Sequence, residues 1–146
     1  MDINGTLAIS ASALRAERLR LDVIASNLAN ANTTRTAAGG PYVRRNVVFV
    51  SQPMESQFGA TLAALSEEGA REGVAVADVI DDPTPPRLVF DPGHPDADKD
   101  GYVAYPNVNA ISETVDLMAA TRAYEANVQV VNATKRMAEA ALLIGG

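Results

Sequence analysis

The sequence predicts an α+β chain: long N- and C-terminal helices pair as an antiparallel, coiled-coil-like arm, with a small β-domain inserted between them. Three observations predict it. Apolar residues at heptad spacing open the chain, valine-rich runs bounded by prolines fill its middle, and a second long helical periodicity closes it. The expected division is an N-terminal helical arm over 1–38, the β-domain over 39–106 with a mobile loop near 54–72, and a C-terminal helical arm over 107–146.

In the first arm, Ile3, Leu7, Leu14, Leu21, Ile24 and Leu28 follow one another at steps of three, four and seven, with Ser10 and Glu17 in the two weak positions of the seam. No proline or glycine interrupts residues 6–38. Helix over Ile3 to Asn32 would be about 45 Å long, more than so small a domain can cover. The run Ser26-Asn27-Leu28-Ala29-Asn30-Ala31-Asn32-Thr33-Thr34 follows, and its short polar side chains compete for backbone hydrogen bonds and fray a helix. Gly39-Gly40-Pro41 then forces a turn.

The middle changes period. Tyr42 to Val50, Val74 to Ile80 and Arg87 to Phe90 are β-prone, set off by Pro83, Pro85, Pro86 and Pro92. Met54 to Glu72 is polar and small, and reads as the mobile loop with a short helix around Thr61 to Glu67. From about Val108 to Leu143 the helical period returns, capped by Asn107 or Asn109. It carries two neighbouring seams: Ile111, Val115 and Met118 on one, and Leu117, Tyr124, Val128, Val131, Ala138 and Leu142 on the other. Each arm therefore exposes more apolar length than its partner covers, and the unsatisfied faces need other copies of the chain or close relatives of it. The residues expected at such a subunit interface are Leu14, Leu21, Ile24, Asn27, Leu28 and Asn30 on the first arm, and Leu117, Tyr124, Asn127, Val128 and Val131 on the second. Asn27 and Asn30, with Asn127 as their counterpart, either finish a helix end or sit in the interface, where a buried asparagine fixes axial register.

Composition narrows the function. Aromatics make up 5% of the 146 residues and tryptophan is absent, so the core is one of helices packed closely side by side. Without cysteine there is no disulfide, thiolate metal site or cysteine nucleophile. Met1 to Leu7 lacks a basic segment followed by an apolar one, so export, if it occurs, proceeds without a cleaved signal. The net charge of −6 argues against nucleic acid as a partner. That charge is uneven: residues 46–105 hold three basic and eleven acidic groups, whereas residues 1–45 hold six basic and three acidic.

The sharpest local motif is Asp96-Ala97-Asp98-Lys99-Asp100-Gly101, which fits the first half of a calcium loop. Its twelfth position is Asn107 where a bidentate glutamate is required, and Pro92 and Pro95 stand where the preceding helix would run. The alternative is a tight acidic turn leading into Tyr102-Val103-Ala104-Tyr105. His94 is the single histidine and has no zinc-type cluster around it; no catalytic triad and no phosphate-binding loop stand out. No catalytic residue, cofactor, metal or small-molecule substrate is therefore expected. A calcium-dependent module would show a metal-induced shift in stability, and an enzyme would show a deep cleft lined by ionisable groups. Phe58-Gly59-Ala60-Thr61-Leu62 has the spacing of a short docking motif.

Ser26-Asn-Leu-Ala-Asn-Ala-Asn-Thr-Thr-Arg35 followed by Gly39-Gly-Pro-Tyr42 resembles the N-terminal signature of the flagellar axial rod and hook proteins. Asp91-Pro-Gly-His94-Pro95-Asp96-Ala-Asp98, then Gly101-Tyr102-Val103 and Pro106-Asn107-Val-Asn109, is similar to the hallmark of the proximal-rod members of that family, and Ala123-Tyr-Glu-Ala-Asn-Val128 with Lys135 completes the pattern. The resemblance covers both arms and the second half of the β-domain. It implies a structural subunit of the bacterial flagellar basal body, exported from the cytoplasm through the flagellar type III apparatus and its gate. Such a subunit assembles helically with copies of itself and other rod proteins, across the periplasm, into the shaft that transmits motor torque. It also implies that the acidic turn is a structural signature of the β-domain.

Overall fold

The opening heptad folds as the helix α1, Ile3–Ala29, in a computed structural model that describes residues 3–53 and 72–144. Every seam position from Ile3 through Leu7, Ser10, Leu14, Glu17, Leu21 and Ile24 to Leu28 is at least half-covered. The closing helix α2, Ala110–Ile144, presents a matching seam of Glu113, Leu117, Ala120, Tyr124, Asn127, Val131, Thr134 and Ala138, at alternating steps of four and three. The two helices pack along each other. They are antiparallel, because Asn27 near the end of α1 donates to Glu113 in the first turn of α2 at 3.1 Å.

α1 stops at Ala29, three residues before the sequence reading placed its end. The Asn30 side chain donates to the Ser26 carbonyl at 2.9 Å, sharing it with the Asn30 backbone N–H at 3.1 Å, and its Oδ1 accepts from Thr33 Oγ1 at 3.1 Å. Gly39 and Gly40, at φ +88° and +76°, then reverse the chain in a conformation that costs a side-chain-bearing residue about 1–2 kcal/mol. At the other end, Asn109 is the residue that caps α2, its Oδ1 accepting from Ile111 N at 3.0 Å.

Between the helices lie four strands: β1 (Arg45–Pro53), β2 (Glu72–Asp81), β3 (Arg87–Phe90) and β4 (Tyr102–Tyr105). They form two separate antiparallel two-stranded sheets, β1–β2 and β3–β4, rather than one continuous sheet. β1 and β2 pair from Arg45↔Asp81 to Pro53↔Glu72, with a register shift at Val48/Phe49. The mobile loop with its short helix and the motif Phe58 to Leu62 fall on residues 54–71, outside the described ones; residue 72 opens β2.

α1 packs against both α2 and the β1–β2 hairpin. One side faces α2 and the other carries the β1–β2 hairpin. Small residues at buried positions, Ser12 and Ala16, let the hairpin approach closely. Ser12 Oγ donates to the Ile9 carbonyl at 2.7 Å and accepts from Val74 N at 3.0 Å, so it serves its own helix and a β2 amide at once.

Candidate assembly site

Two clusters hold the helices and hairpins in one arrangement. The first surrounds Asn27, which is 1% exposed. Its Nδ2 donates to the Arg45 carbonyl at 2.8 Å and to Glu113 Oε2 at 3.1 Å; its Oδ1 accepts from Arg45 N at 3.0 Å and from the Tyr42 hydroxyl at 3.0 Å. An amide side chain offers two donors and two acceptor sites, and all are used inside the chain. Asn27 was expected either to finish a helix end or to register neighbouring subunits. It registers α1 against β1 and α2 of its own chain instead, and has no bonding capacity left for a second copy.

Glu113 is equally buried, at 1% exposure. Its Oε1 accepts from Arg44 Nε at 2.7 Å, and Arg44 Nη1 reaches Asp82 Oδ2 at 3.2 Å. Burial pulls the Arg44 pKa down, but the hydrogen bonds and charges of Glu113 and Asp82 outweigh it and leave it raised. Asp82 is held below its ordinary value chiefly by the hydroxyl and backbone N–H of Thr84, with Arg44 adding to them. The chain Asn27–Glu113–Arg44–Asp82 thus ties together the end of α1, the start of α2 and the two chain segments at the open end of the β1–β2 hairpin.

Sequence reasoning missed Arg44, Asp82 and Glu113. A signal was present for Glu113: it falls one heptad step before Leu117, a charged residue in an apolar seam, which demands a buried partner.

The second cluster is the long loop of the β3–β4 hairpin, over 91–101. Asp91 N donates to the Gly101 carbonyl at 2.9 Å, and Asp98 Oδ1 accepts from Asp100 N at 2.9 Å and Tyr102 N at 2.8 Å. His94 Nδ1 accepts from Asp96 N at 3.1 Å, which places the proton of a neutral ring on Nε2, and the ring meets Tyr105 edge-on at 6.2 Å. Gly101 has φ +83°, and a Cβ there would stand 2.9 Å from Phe90 Cε2. Asp96 reaches outward: Oδ2 accepts from Thr34 Oγ1 at 2.8 Å and Oδ1 from Arg35 Nη1 at 3.3 Å. The segment after α1 and the acidic turn, sixty residues apart, therefore hold each other. Asp96 and Asp98 are engaged in these bonds, and among the described residues no group of three or more His, Asp or Glu side chains is placed to hold a metal ion. Pro95 and Asn107 are exposed, whereas Pro106 is buried beside Val103.

The remaining residues expected at a subunit interface divide by position. Ile24 is buried; Leu14, Leu21, Leu28 and Asn30 on or just after α1, and Leu117, Tyr124, Asn127, Val128 and Val131 on α2, are half-buried. Asn127 Nδ2 turns back to the Ala123 carbonyl at 3.0 Å. By contrast, Ile111, Val115 and Met118 stand 78%, 54% and 51% exposed, on the side of α2 away from its seam. Of the two seams read in this helix, one meets α1 as far as Ala138, with Leu142 exposed beyond it, and the other meets solvent.

Comparison with known proteins bears on this arrangement. Residues 7–35 match the family described as "Flagella basal body rod protein", and residues 99–143 the family described as "Flagellar basal body rod FlgEFG protein C-terminal". The chain is 41% identical to the flagellar basal-body rod protein FlgC of Borreliella burgdorferi, over 99% of this chain and 98% of that protein. It is 46% identical to FlgC of Bacillus subtilis, over 96% of each. With FlgC of Escherichia coli O6:H1 the identity is 44%, over 94% of this chain and 93% of that one.

Proposed function

The chain belongs to the FlgC family of flagellar basal-body rod proteins, and from that premise we propose that it polymerises helically through its terminal helices to build the proximal rod. It is a structural protein of the flagellar basal body and not an enzyme. The finer reading is ours. Copies of the chain and other rod proteins form a shaft across the periplasm that carries motor torque toward the filament. The chain reaches that place through the flagellar type III apparatus and its gate, without a cleaved signal.

The observation that carries this reading is the second apolar face of α2. A helix at the surface of a self-sufficient domain has one apolar stripe. Here Glu113 to Ala138 fill the stripe against α1, yet Ile111, Val115, Met118, Val130 and Met137 remain exposed on other sides of the same helix. Apolar surface of this extent is characteristic of an interaction site. The half-buried seam residues Leu14, Leu21, Leu28, Tyr124, Val128 and Val131 are proposed to complete their burial against neighbouring subunits.

The test is replacement of the native FlgC gene of a flagellated bacterium by one encoding this chain. Recovery of the chain in purified basal bodies, with motility restored, supports the reading. Secretion to the medium without rod completion would contradict it.

A further inference from the structure

Resting on the rod reading above, we infer that the groove between α1 and the β1–β2 hairpin is the seat for the C-terminal end of α2 from a second copy. The groove has a volume of about 270 Å³ and is walled by Ala13, Ala16, Phe49, Val50, Ser51 and Val74, with Glu17 also lining it. Glu17 Oε2 is buried, yet accepts no hydrogen bond among the described residues. The other oxygen lies 4.0 Å from Arg20 Nη1. A carboxylate oxygen shielded from water and without a donor costs free energy, and an incoming cation would recover it.

The end of α2 has the complementary chemistry. With Asn27 opposite Glu113, an antiparallel pair places the start of α1 opposite residues near 137, so the last turns of α2 run past their partner. Leu142 and Leu143 are accordingly 78% and 85% exposed. Lys135 and Arg136 lie seven residues before them and share their faces. The overhang therefore offers two leucines for the apolar walls and, two turns back, two cations for Glu17. Lys135 has only a loose pairing with Glu139 at 3.9 Å, both being well exposed.

The groove and the overhang lie at different heights along the helix pair. Joining them is a heterologous contact, which propagates as an open polymer. The groove sits opposite residues near 125, so each copy would be displaced from the next by about 25 Å along the helix axis at 1.5 Å per residue.

The absence of native cysteine allows a direct test in assembled rods. Ser51→Cys combined with Leu143→Cys, in the full-length chain, is oxidised in basal bodies isolated from motile cells. A ladder of covalent multimers from the double variant, with neither single variant giving one, is the expected result; a disulfide forms only where the two Cα atoms approach to about 4.4–6.8 Å. A second arm tests the charge pairing: Glu17→Arg should abolish the ladder, and adding Arg136→Glu should restore it. Completed rods that contain the double variant and yield only monomer would overturn the inference and leave the rod function standing. Basal bodies of motile cells that lack the chain altogether would overturn both.

Discussion

Asn27 and Arg45 are joined as two paired strands would be: the Asn27 side-chain amide donates to the Arg45 carbonyl at 2.8 Å and accepts from the Arg45 N–H at 3.0 Å. A helix side chain thereby satisfies both backbone groups of the first residue of β1. The bond pair sets the height at which the β1–β2 hairpin attaches, and the Glu113 contact sets the register of α2 at the same point.

From this relationship, Asn27→Leu should destabilise the chain, although a leucine suits an apolar seam. It would leave the Arg45 peptide groups, the Tyr42 hydroxyl and a Glu113 oxygen without their partner, at a combined cost of about 3 kcal/mol. Urea unfolding followed by circular dichroism measures it. A variant as stable as the parent would mean that the polar cluster does not hold the fold.

Glu113→Ala should cost about 3 kcal/mol, because it removes the nearest and most buried of the three carboxylates around Arg44 and leaves it the longer pairings with Asp82 at 3.2 Å and Asp116 at 4.0 Å. Glu113→Gln keeps one acceptor, for Arg44 or for Asn27, while its NH2 faces the other donor and the charge is lost, so it should recover only part of that loss. The order Ala worse than Gln, in the same unfolding measurement, distinguishes a charge and hydrogen-bond role from simple packing.

Gly101→Ala should unfold more readily than Gly39→Ala. Both positions have positive φ, but a methyl at Gly101 meets Phe90 Cε2 at 2.9 Å and Pro92 Cβ at 3.3 Å, whereas at Gly39 it meets nothing within 4 Å. Backbone strain alone accounts for about 1–2 kcal/mol at each site. The excess at Gly101 reads the close packing of the β3–β4 loop, and differential scanning calorimetry of the two variants compares them.

Acid should weaken the hairpin attachment. Asp82 has a folded pKa below its ordinary value, so the stabilisation it provides is present above pH ~4 and is lost as the pH falls through the depressed folded value. Arg44 stays charged throughout and adds no slope in this window. Asp82→Asn should therefore flatten the fall in melting temperature between about pH 5 and pH 2. An unchanged slope would place the acid sensitivity elsewhere.

Much of this architecture is legible in the sequence for a physical reason: heptad spacing and proline-bounded valine runs are local, periodic signals. They carried the two helices, their antiparallel pairing and three of the four strands; β4, too short for a periodic signal, was read only as the segment that follows the acidic turn. The end of α1 was less legible, because Asn30 can continue a helix or end it, and only its bonds to Ser26 and Thr33 decide. The polar cluster was illegible for a different reason. Asn27, Arg44, Asp82 and Glu113 are far apart in sequence, and no local pattern announces that they meet. Asn27 has the expected importance for register, but between segments of one chain. The two seams of α2 were both read, yet only the fold assigns Leu117 to the partner helix and Val115 to solvent.

That assignment makes Val115→Asp the most direct measurement of the central claim, that the outward face of α2 builds the rod. Val115 does not belong to the seam that meets α1, so the purified variant should keep the circular dichroism and melting temperature of the parent. Cells relying on it should export the subunit yet leave it out of basal bodies, and should not swim, since a carboxylate in a closed apolar interface costs several kcal/mol. Motile cells with rods of normal length containing Val115→Asp would contradict the account.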